Sequence, residues 1–337
     1  MIDDQTAVVL AVQLTALCCI AGSLLLYLLC KVKRGASWAT ASDEGEVGTG
    51  RSVLVTCVQN QLGLQLALRL AGAGFRVFAG LRDGNLECDA ARVIKAKLKA
   101  VEAAGGGRQG AVILIPLDVT REDSLHEGVD HIRRHLPAGQ NGLWAVINTA
   151  GVAVKGRLES QESCQWDSMF KINVVGTLRS ARALLPLIRV TQGRFVTVGL
   201  SSECQKGTTG VVAYAAARHA VLGASSALAN ELAHLGVSVV VINTGSITAE
   251  QLYHGVKVTA DRAVDGATPS DAYLNYNVNR LPEYAVKSIE ETLLVARPKQ
   301  SYDLRPPVKL SNYLTALTTR FNPAAYKPHG KPDLTTV

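Results

Sequence analysis

Tyr214 is followed four residues later by Arg218, and Asn173 and the run Asn148-Thr149-Ala150-Gly151 lie upstream of them. On a helix the pair would sit one turn apart on the same face. A phenol beside a fixed cation can pass its proton to a carbonyl oxygen, because the cation offsets the charge left behind on the phenolate. These residue types at this spacing point to interconversion of a hydroxyl and a carbonyl. His219, next to Arg218, faces another side of the same helix and reads as structural.

The elements that must position these side chains alternate from Arg51 onward. Short apolar runs predict strands over Arg51–Val58, Arg76–Leu81, Val112–Leu117, Trp144–Asn148, Arg194–Val198 and Ser238–Ile242. Between them, helices are predicted over Leu62–Ala73, Ala90–Ala103, Asp123–His135, Trp166–Arg189 and Val212–Leu235, with one more near Glu283–Ala296. Gly105-Gly106-Gly107 stops the second of these, and Asn173 and Gly176 interrupt the long fourth one. Strands this apolar, separated by helices, belong in a parallel sheet covered on both faces. The expected fold is therefore α/β, a doubly wound parallel sheet of Rossmann type forming one domain.

That domain is expected over residues 51–300, with 246–300 after the sixth strand as the substrate-covering segment and 301–337 as a tail. Before it, Gly35–Gly50 has no periodicity and reads as a linker. Residues 1–34 read as a membrane anchor, because Ala7–Cys30 runs without a charge for about the length that crosses a bilayer core. The N-terminus begins Met1-Ile2-Asp3-Asp4 and lacks the basic start of a cleaved signal. Lys31, Lys33 and Arg34 follow the apolar run, which places the domain in the cytosol, with the endoplasmic reticulum as the expected membrane.

The chain of 337 residues carries a formal charge of +7. Its basic residues are scattered and form no stripe interleaved with aromatics, so nucleic acid is not an expected partner. Arg305, Lys309, Arg320, Lys327 and Lys331 of the tail fit either an anionic membrane face or simple solubility. Seven cysteines, at Cys18, Cys19, Cys30, Cys57, Cys88, Cys164 and Cys204, show no metal-ligand spacing and no secretory framework, so free thiols and no metal are expected.

The first strand leads through Thr56-Cys57-Val58-Gln59-Asn60-Gln61-Leu62-Gly63 into a helix. A dinucleotide's pyrophosphate needs close approach to backbone amides at such a helix start, hence glycines, and here only Gly63 is one. After the third strand Asp118-Val119 can fix an adenine, and Asn148-Thr149-Ala150-Gly151 gives a small-residue turn against the cofactor. The second strand ends Gly80-Leu81-Arg82-Asp83; Arg82 tilts the choice toward NADP(H), and Asp83 keeps NAD open.

As a set and in this order, these motifs resemble the short-chain dehydrogenase/reductases over about Arg51–Ala249. Leu143-Trp144-Ala145-Val146-Ile147-Asn148, Leu184-Leu185-Pro186-Leu187-Ile188-Arg189 and Val77-Phe78-Ala79-Gly80 look like the retinol and hydroxysteroid dehydrogenase branch, and the plan is also similar to arthropod members associated with ecdysteroid synthesis. The resemblance implies that Tyr214 is the acid/base and that Asn173 holds a relay water. It implies a lysine where Arg218 stands, lowering the cost of phenolate and holding the nicotinamide ribose. Arg218 can supply the charge but not the compact ammonium, so slower turnover is expected. A serine should hold the carbonyl; the strand count puts Leu200 there, with Ser201 the next candidate and an ordinary loop serine the alternative. Thr56, Gln61, Leu62, Gly63, Arg82, Asp118, Val119, Asn148, Ala150 and Gly151 would hold the dinucleotide, with Gly245 and Thr248 near its carboxamide.

Departures from the family pattern at Cys57, Gln61, Thr149, Leu200 and Arg218 cluster on the cofactor and the carbonyl. Two classes of function follow. One is a membrane-anchored NAD(P)-dependent oxidoreductase acting on a lipophilic alcohol or ketone such as a sterol, steroid or retinoid. The other is a non-catalytic module that binds a lipid or protein. The Ala-, Val- and Leu-rich faces of the helices carrying Asn173 and Tyr214 imply, through the same resemblance, a homodimer.

Overall fold

The computed structural model describes residues 22–23, 48, 50–82, 84–103, 110–258, 273–274, 276 and 281–306. Two compact units divide the chain at Val47/Gly48. Of the first, Gly22 and Ser23 are described, both helical and exposed; the rest of the expected membrane span lies outside the described residues. Among the described residues, no helix is long and apolar enough to cross a membrane.

From Gly48 on, the second unit is built on a seven-stranded sheet, β1 Ser52–Val55, β2 Arg76–Leu81, β3 Val112–Pro116, β4 Ala145–Asn148, β5 Arg194–Val198, β6 Ser238–Asn243 and β7 Ser301–Asp303. The spatial order is β3-β2-β1-β4-β5-β6-β7, with every neighbouring pair parallel. Val53 pairs with Val77 on one side and Ala145 on the other, so β1 is the centre from which the sheet is wound both ways. β1, β4 and β5 are buried at every position, so apolar residues dominate them without alternation, with Ser52, Asn148, Arg194 and Thr197 as buried polar exceptions.

Helices cover both faces. On one, α1 Gln61–Gly72 buries Leu62, Leu66 and Leu70 and packs with α2 Asp89–Ala103. On the other, α3 Glu122–His135 buries Leu125, Val129 and Ile132, a spacing of one helical stripe. Glu122 and Asp123 in its first turn and Arg133, Arg134 and His135 in its last complement the helix dipole.

The long helix expected over Trp166–Arg189 is three pieces: α4 Ser163–Met169, a π turn Phe170–Val175, and α5 Gly176–Val190. The N–H of Gly176 reaches the carbonyl of Lys171, five residues back, and the widened turn carries Asn173. Downstream come α6 Ser202–Lys206, α7 Val212–Leu232 and, after β6, α8 Ala249–Tyr253 and α9 Glu283–Leu294. α9 buries Ala285, Val286, Ile289 and Leu293 in the same core layer as α1. Residues 301–303, expected to open a tail, instead add β7 beside β6. Three residues are too few for a periodic signal, and the pairing comes from register with Val241–Asn243.

Candidate functional site

In a doubly wound sheet the crevice opens at the carboxyl ends of the strands, where the winding reverses. Here that point lies between β1 and β4. A cavity of about 380 Å³ occupies it, lined among others by Thr56, Cys57, Gln59, Arg82, Asp118 and Tyr253.

The turn after β1 is locked to the end of β4. Thr56 donates its hydroxyl proton to Asn148 Oδ1 (2.9 Å) and accepts from the N–H groups of Thr149 (3.1 Å) and Ala150 (3.3 Å). Thr149 in turn donates to the carbonyl of Cys57 (2.7 Å) and accepts from its N–H (3.1 Å). Two departures from the family pattern therefore answer each other, the hydroxyl of one satisfying the backbone of the other. Asn60 caps α1, accepting from Gly63 N–H (2.8 Å) and donating to the carbonyl of Thr149 (2.8 Å). Gly63 must be glycine, because a Cβ there would run into the carbonyl oxygen of Cys57.

Asp118, after β3, also lines the cavity, with its Oδ1 accepting from the N–H and hydroxyl of Thr120 (both 2.8 Å). Val119 and Arg82 line it as well, and the Arg82 N–H donates to Gln59 Oε1 (3.1 Å). Asp83 lies outside the described residues. Gln61 is fully buried and does not line the cavity; its Nε2 donates to the Tyr276 hydroxyl (2.6 Å).

Tyr214 and Arg218 lie on one face of α7, 2% and 1% exposed. Arg218 Nε donates to the Tyr214 hydroxyl (3.2 Å), Nη1 to the carbonyl of Val198 (3.2 Å), and Nη2 to Asn173 Oδ1 (3.3 Å) and the Tyr253 hydroxyl. Its guanidinium also lies over the rings of Tyr214 and Tyr253, at 5.2 and 5.1 Å from the centroids. Burial opposes the charge on Arg218, but the oxygens of Tyr253 and Tyr214 outweigh it and raise its pKa. Burial holds the Tyr253 phenol neutral, raising its pKa against the opposite pull of Arg218. Asn173 clamps Val152 with both ends of its amide, accepting from its N–H (2.9 Å) and donating to its carbonyl (2.8 Å). The π turn is what brings that amide down to the strand end.

The family model for short chain dehydrogenases matches residues 51–254. The chain belongs to the short-chain dehydrogenase family. Members of this family are NAD(P)-dependent oxidoreductases acting on CH–OH groups. Mitochondrial D-beta-hydroxybutyrate dehydrogenase of Bos taurus is 29% identical over 324 residues, covering 90% of this chain and 85% of that one. Human 17-beta-hydroxysteroid dehydrogenase type 6 is 30% identical over 176 residues, covering 50% of this chain and 53% of that one. A short-chain dehydrogenase structure from Streptomyces avermitilis shares the fold, with a TM-score of 0.56 at 21% identity over 81% of this chain and 95% of that one.

Within this dehydrogenase the structure gathers Tyr214, Arg218 and Asn173, and places two other expected residues in capping roles. Ser201 Oγ accepts from Cys204 N–H (3.4 Å) as the N-cap of α6, while Leu200 packs with Tyr214 in an apolar cluster with Met169 and Ala249. Thr248 caps α8, accepting from Gln251 N–H while the Gln251 side chain returns to the Thr248 N–H. Gly245 turns the chain at φ +59° and pairs with Ser201.

Tyr253 is the residue that sequence reasoning missed. It lines the cavity, which Tyr214 does not, lies against Gly151 and bonds Arg218. The spacing Thr248-Ala249-Glu250-Gln251 is a capping box, a signal that would have started a helix at Ala249 and brought Tyr253 back toward the strand ends.

An acid after β3, a base after β2 and the small residues Ala150 and Gly151 line the cavity, residue types that could hold a dinucleotide's adenosine half. The amides at the start of α1 suit a pyrophosphate, though in this structure Gln61 N–H donates to the carbonyl of His254 (3.0 Å).

Proposed function

We propose that this chain interconverts a hydroxyl and a carbonyl on a lipophilic substrate of the sterol, steroid or retinoid class, ecdysteroids included, using NADP(H) in preference to NAD(H). The observation that carries the reading is the buried Arg218 guanidinium joined at once to the phenol of Tyr214 and the amide of Asn173. A bound nicotinamide dinucleotide supplies or accepts the hydride. Tyr214 gives its proton to the carbonyl oxygen in reduction and takes it back in oxidation. Arg218, donating to the same phenol oxygen, offsets the negative charge that builds there. Asn173 orients Arg218 and fixes Val152 beside it. Thr56, Asp118, Val119, Arg82, Ala150 and Gly151 would hold the adenosine half, and Gln61, Leu62 and Gly63 at the start of α1 the pyrophosphate.

The apolar shell around Tyr214, made by Met169, Leu200, Val152, Val154 and Trp166, supports a substrate with a hydrocarbon body. An anchor over Ala7–Cys30 would hold the enzyme on the endoplasmic reticulum, the bilayer into which such a substrate partitions. A homodimer completes the reading. Phe170, Val175, Leu178 and Val212 are 39–51% exposed on the helices that carry Asn173 and Tyr214. Light scattering of the detergent-solubilised chain should give twice the protomer mass, and a monomer would remove the dimer.

Titrating NADPH and NADH against the purified chain, followed by nicotinamide fluorescence and then turnover of a steroid and retinoid alcohol panel, tests the function. Arg82→Ala should weaken NADPH by about tenfold and leave NADH unchanged, because a charge-assisted contact to a 2′-phosphate is lost. Equal losses for both would overturn the cofactor preference. No binding of either would favour a non-catalytic lipid- or protein-binding module.

A further inference from the structure

Residues after α8 lie across the phosphate-binding turn as a piece of antiparallel strand. Gly255 pairs with Asn60, Gln61 N–H donates to the carbonyl of His254 (3.0 Å), and Val256 N–H donates to the carbonyl of Gln59 (2.9 Å). The strap is held at both ends. Upstream, the capping box of α8 sets its direction and Tyr253 is fastened to Arg218. Downstream, Val258 N–H donates to Asp89 Oδ2 (2.9 Å), and Val256 is buried in the core layer beneath. One consequence is chemical: an amide of the α1 N-terminus, the group a pyrophosphate would take, already has a carbonyl partner. Another is steric, since the Tyr253 ring rests on Gly151 in front of Arg218. Among the described residues, no such backbone pairing covers the part of the cavity lined by Asp118, Val119, Thr120 and Arg82.

We infer that Tyr253–Val256 is an autoinhibitory strap that mimics a dinucleotide's central contacts, so that NADPH binds only when the strap lifts, while the adenosine half-site stays open in the closed form. This rests on the nucleotide-dependent reading above. Closure lowers the apparent affinity by the fraction of open protein, and any change that weakens the strap raises it. Gln61 follows from the same device. With a side chain in place of glycine it gives up direct approach to phosphate but reaches Tyr276, joining the turn to the chain beyond the strap.

The test uses the full detergent-solubilised chain, with NADPH and adenosine 2′-phosphate as probes. Val256→Pro deletes the N–H given to Gln59 and should tighten NADPH about threefold to tenfold, the worth of one backbone hydrogen bond, with adenosine 2′-phosphate unchanged. A second variant guards against misfolding of the first. Asn60 and Gly255 form a non-hydrogen-bonded antiparallel pair, whose Cα atoms lie about 4.5 Å apart, within disulfide reach. The Asn60→Cys/Gly255→Cys double variant, oxidised, should lose NADPH binding, keep adenosine 2′-phosphate, and recover NADPH on reduction. Equal NADPH affinity in its oxidised and reduced forms, with adenosine 2′-phosphate bound in both, would overturn the strap alone. Absence of binding by either probe in every form would overturn the nucleotide reading and the strap with it.

Discussion

Tyr214→Phe should lower kcat by about 10²–10⁴-fold, the range contributed by a positioned proton donor, while NADPH affinity stays within about twofold. The two readouts separate because the Tyr214 hydroxyl meets Arg218 rather than the cavity wall, which Tyr253 provides. Removing the oxygen leaves Arg218 Nε without that acceptor in a site 1% exposed, a stability cost of about 1–3 kcal/mol. Arg218 keeps its bonds to Val198, Asn173 and Tyr253, so the pocket should survive the change. Steady-state kinetics paired with fluorescence titration and a melting curve reads all three quantities. Turnover surviving in the phenylalanine variant would show that the proton comes from elsewhere, with Tyr253 the next phenol in line.

Much of the sheet was legible because burial on both faces leaves a plain mark. Strands such as Ser52–Val55 and Ala145–Asn148 carry a polar residue only at one end, so the apolar run in each is continuous. The break inside the fourth predicted helix was visible as Asn173 and Gly176, but its geometry was not. The π turn carries Asn173, whose amide bonds the backbone of Val152, twenty-one residues away in sequence, and the side chain of Arg218. β7 left no mark either, since its three residues are half-exposed or exposed and owe their conformation to β6.

In the site, residues that act by type and spacing on one element were readable, as Tyr214 and Arg218 on α7 show. Those whose meaning depends on a distant backbone were not. Thr149 looked like a departure from a small-residue turn, yet its hydroxyl serves both backbone groups of Cys57. Ser201 read as a candidate to hold the carbonyl, and its position at the start of α6 also makes it a cap. Tyr253 had no motif of its own. The capping box at Thr248 marks where α8 starts, but the contact of Tyr253 with Arg218 depends on the path of the chain after Gly245.

Arg218→Ala and Arg218→Lys should part company, and the contrast tells charge from packing. Truncation to alanine removes a fully buried side chain and strips acceptors at Val198, Asn173, Tyr214 and Tyr253. Cavity and orphaned polar groups argue for a loss of several kcal/mol, partly offset because no carboxylate within ion-pair distance balances this buried cation among the described residues. A net loss of about 3 kcal/mol is expected, lowering Tm by about 6–12 °C, with kcat down at least about a hundredfold. Lysine keeps the charge but has three donors on one nitrogen in place of a planar fork with five, so it cannot serve Val198, Asn173 and both phenols together. Its variant should lose about 1–2 kcal/mol and yet hold kcat within about tenfold of the parent. Should lysine and alanine cost turnover equally, the guanidinium would be a packing element and the positive charge beside Tyr214 would have no part in proton transfer.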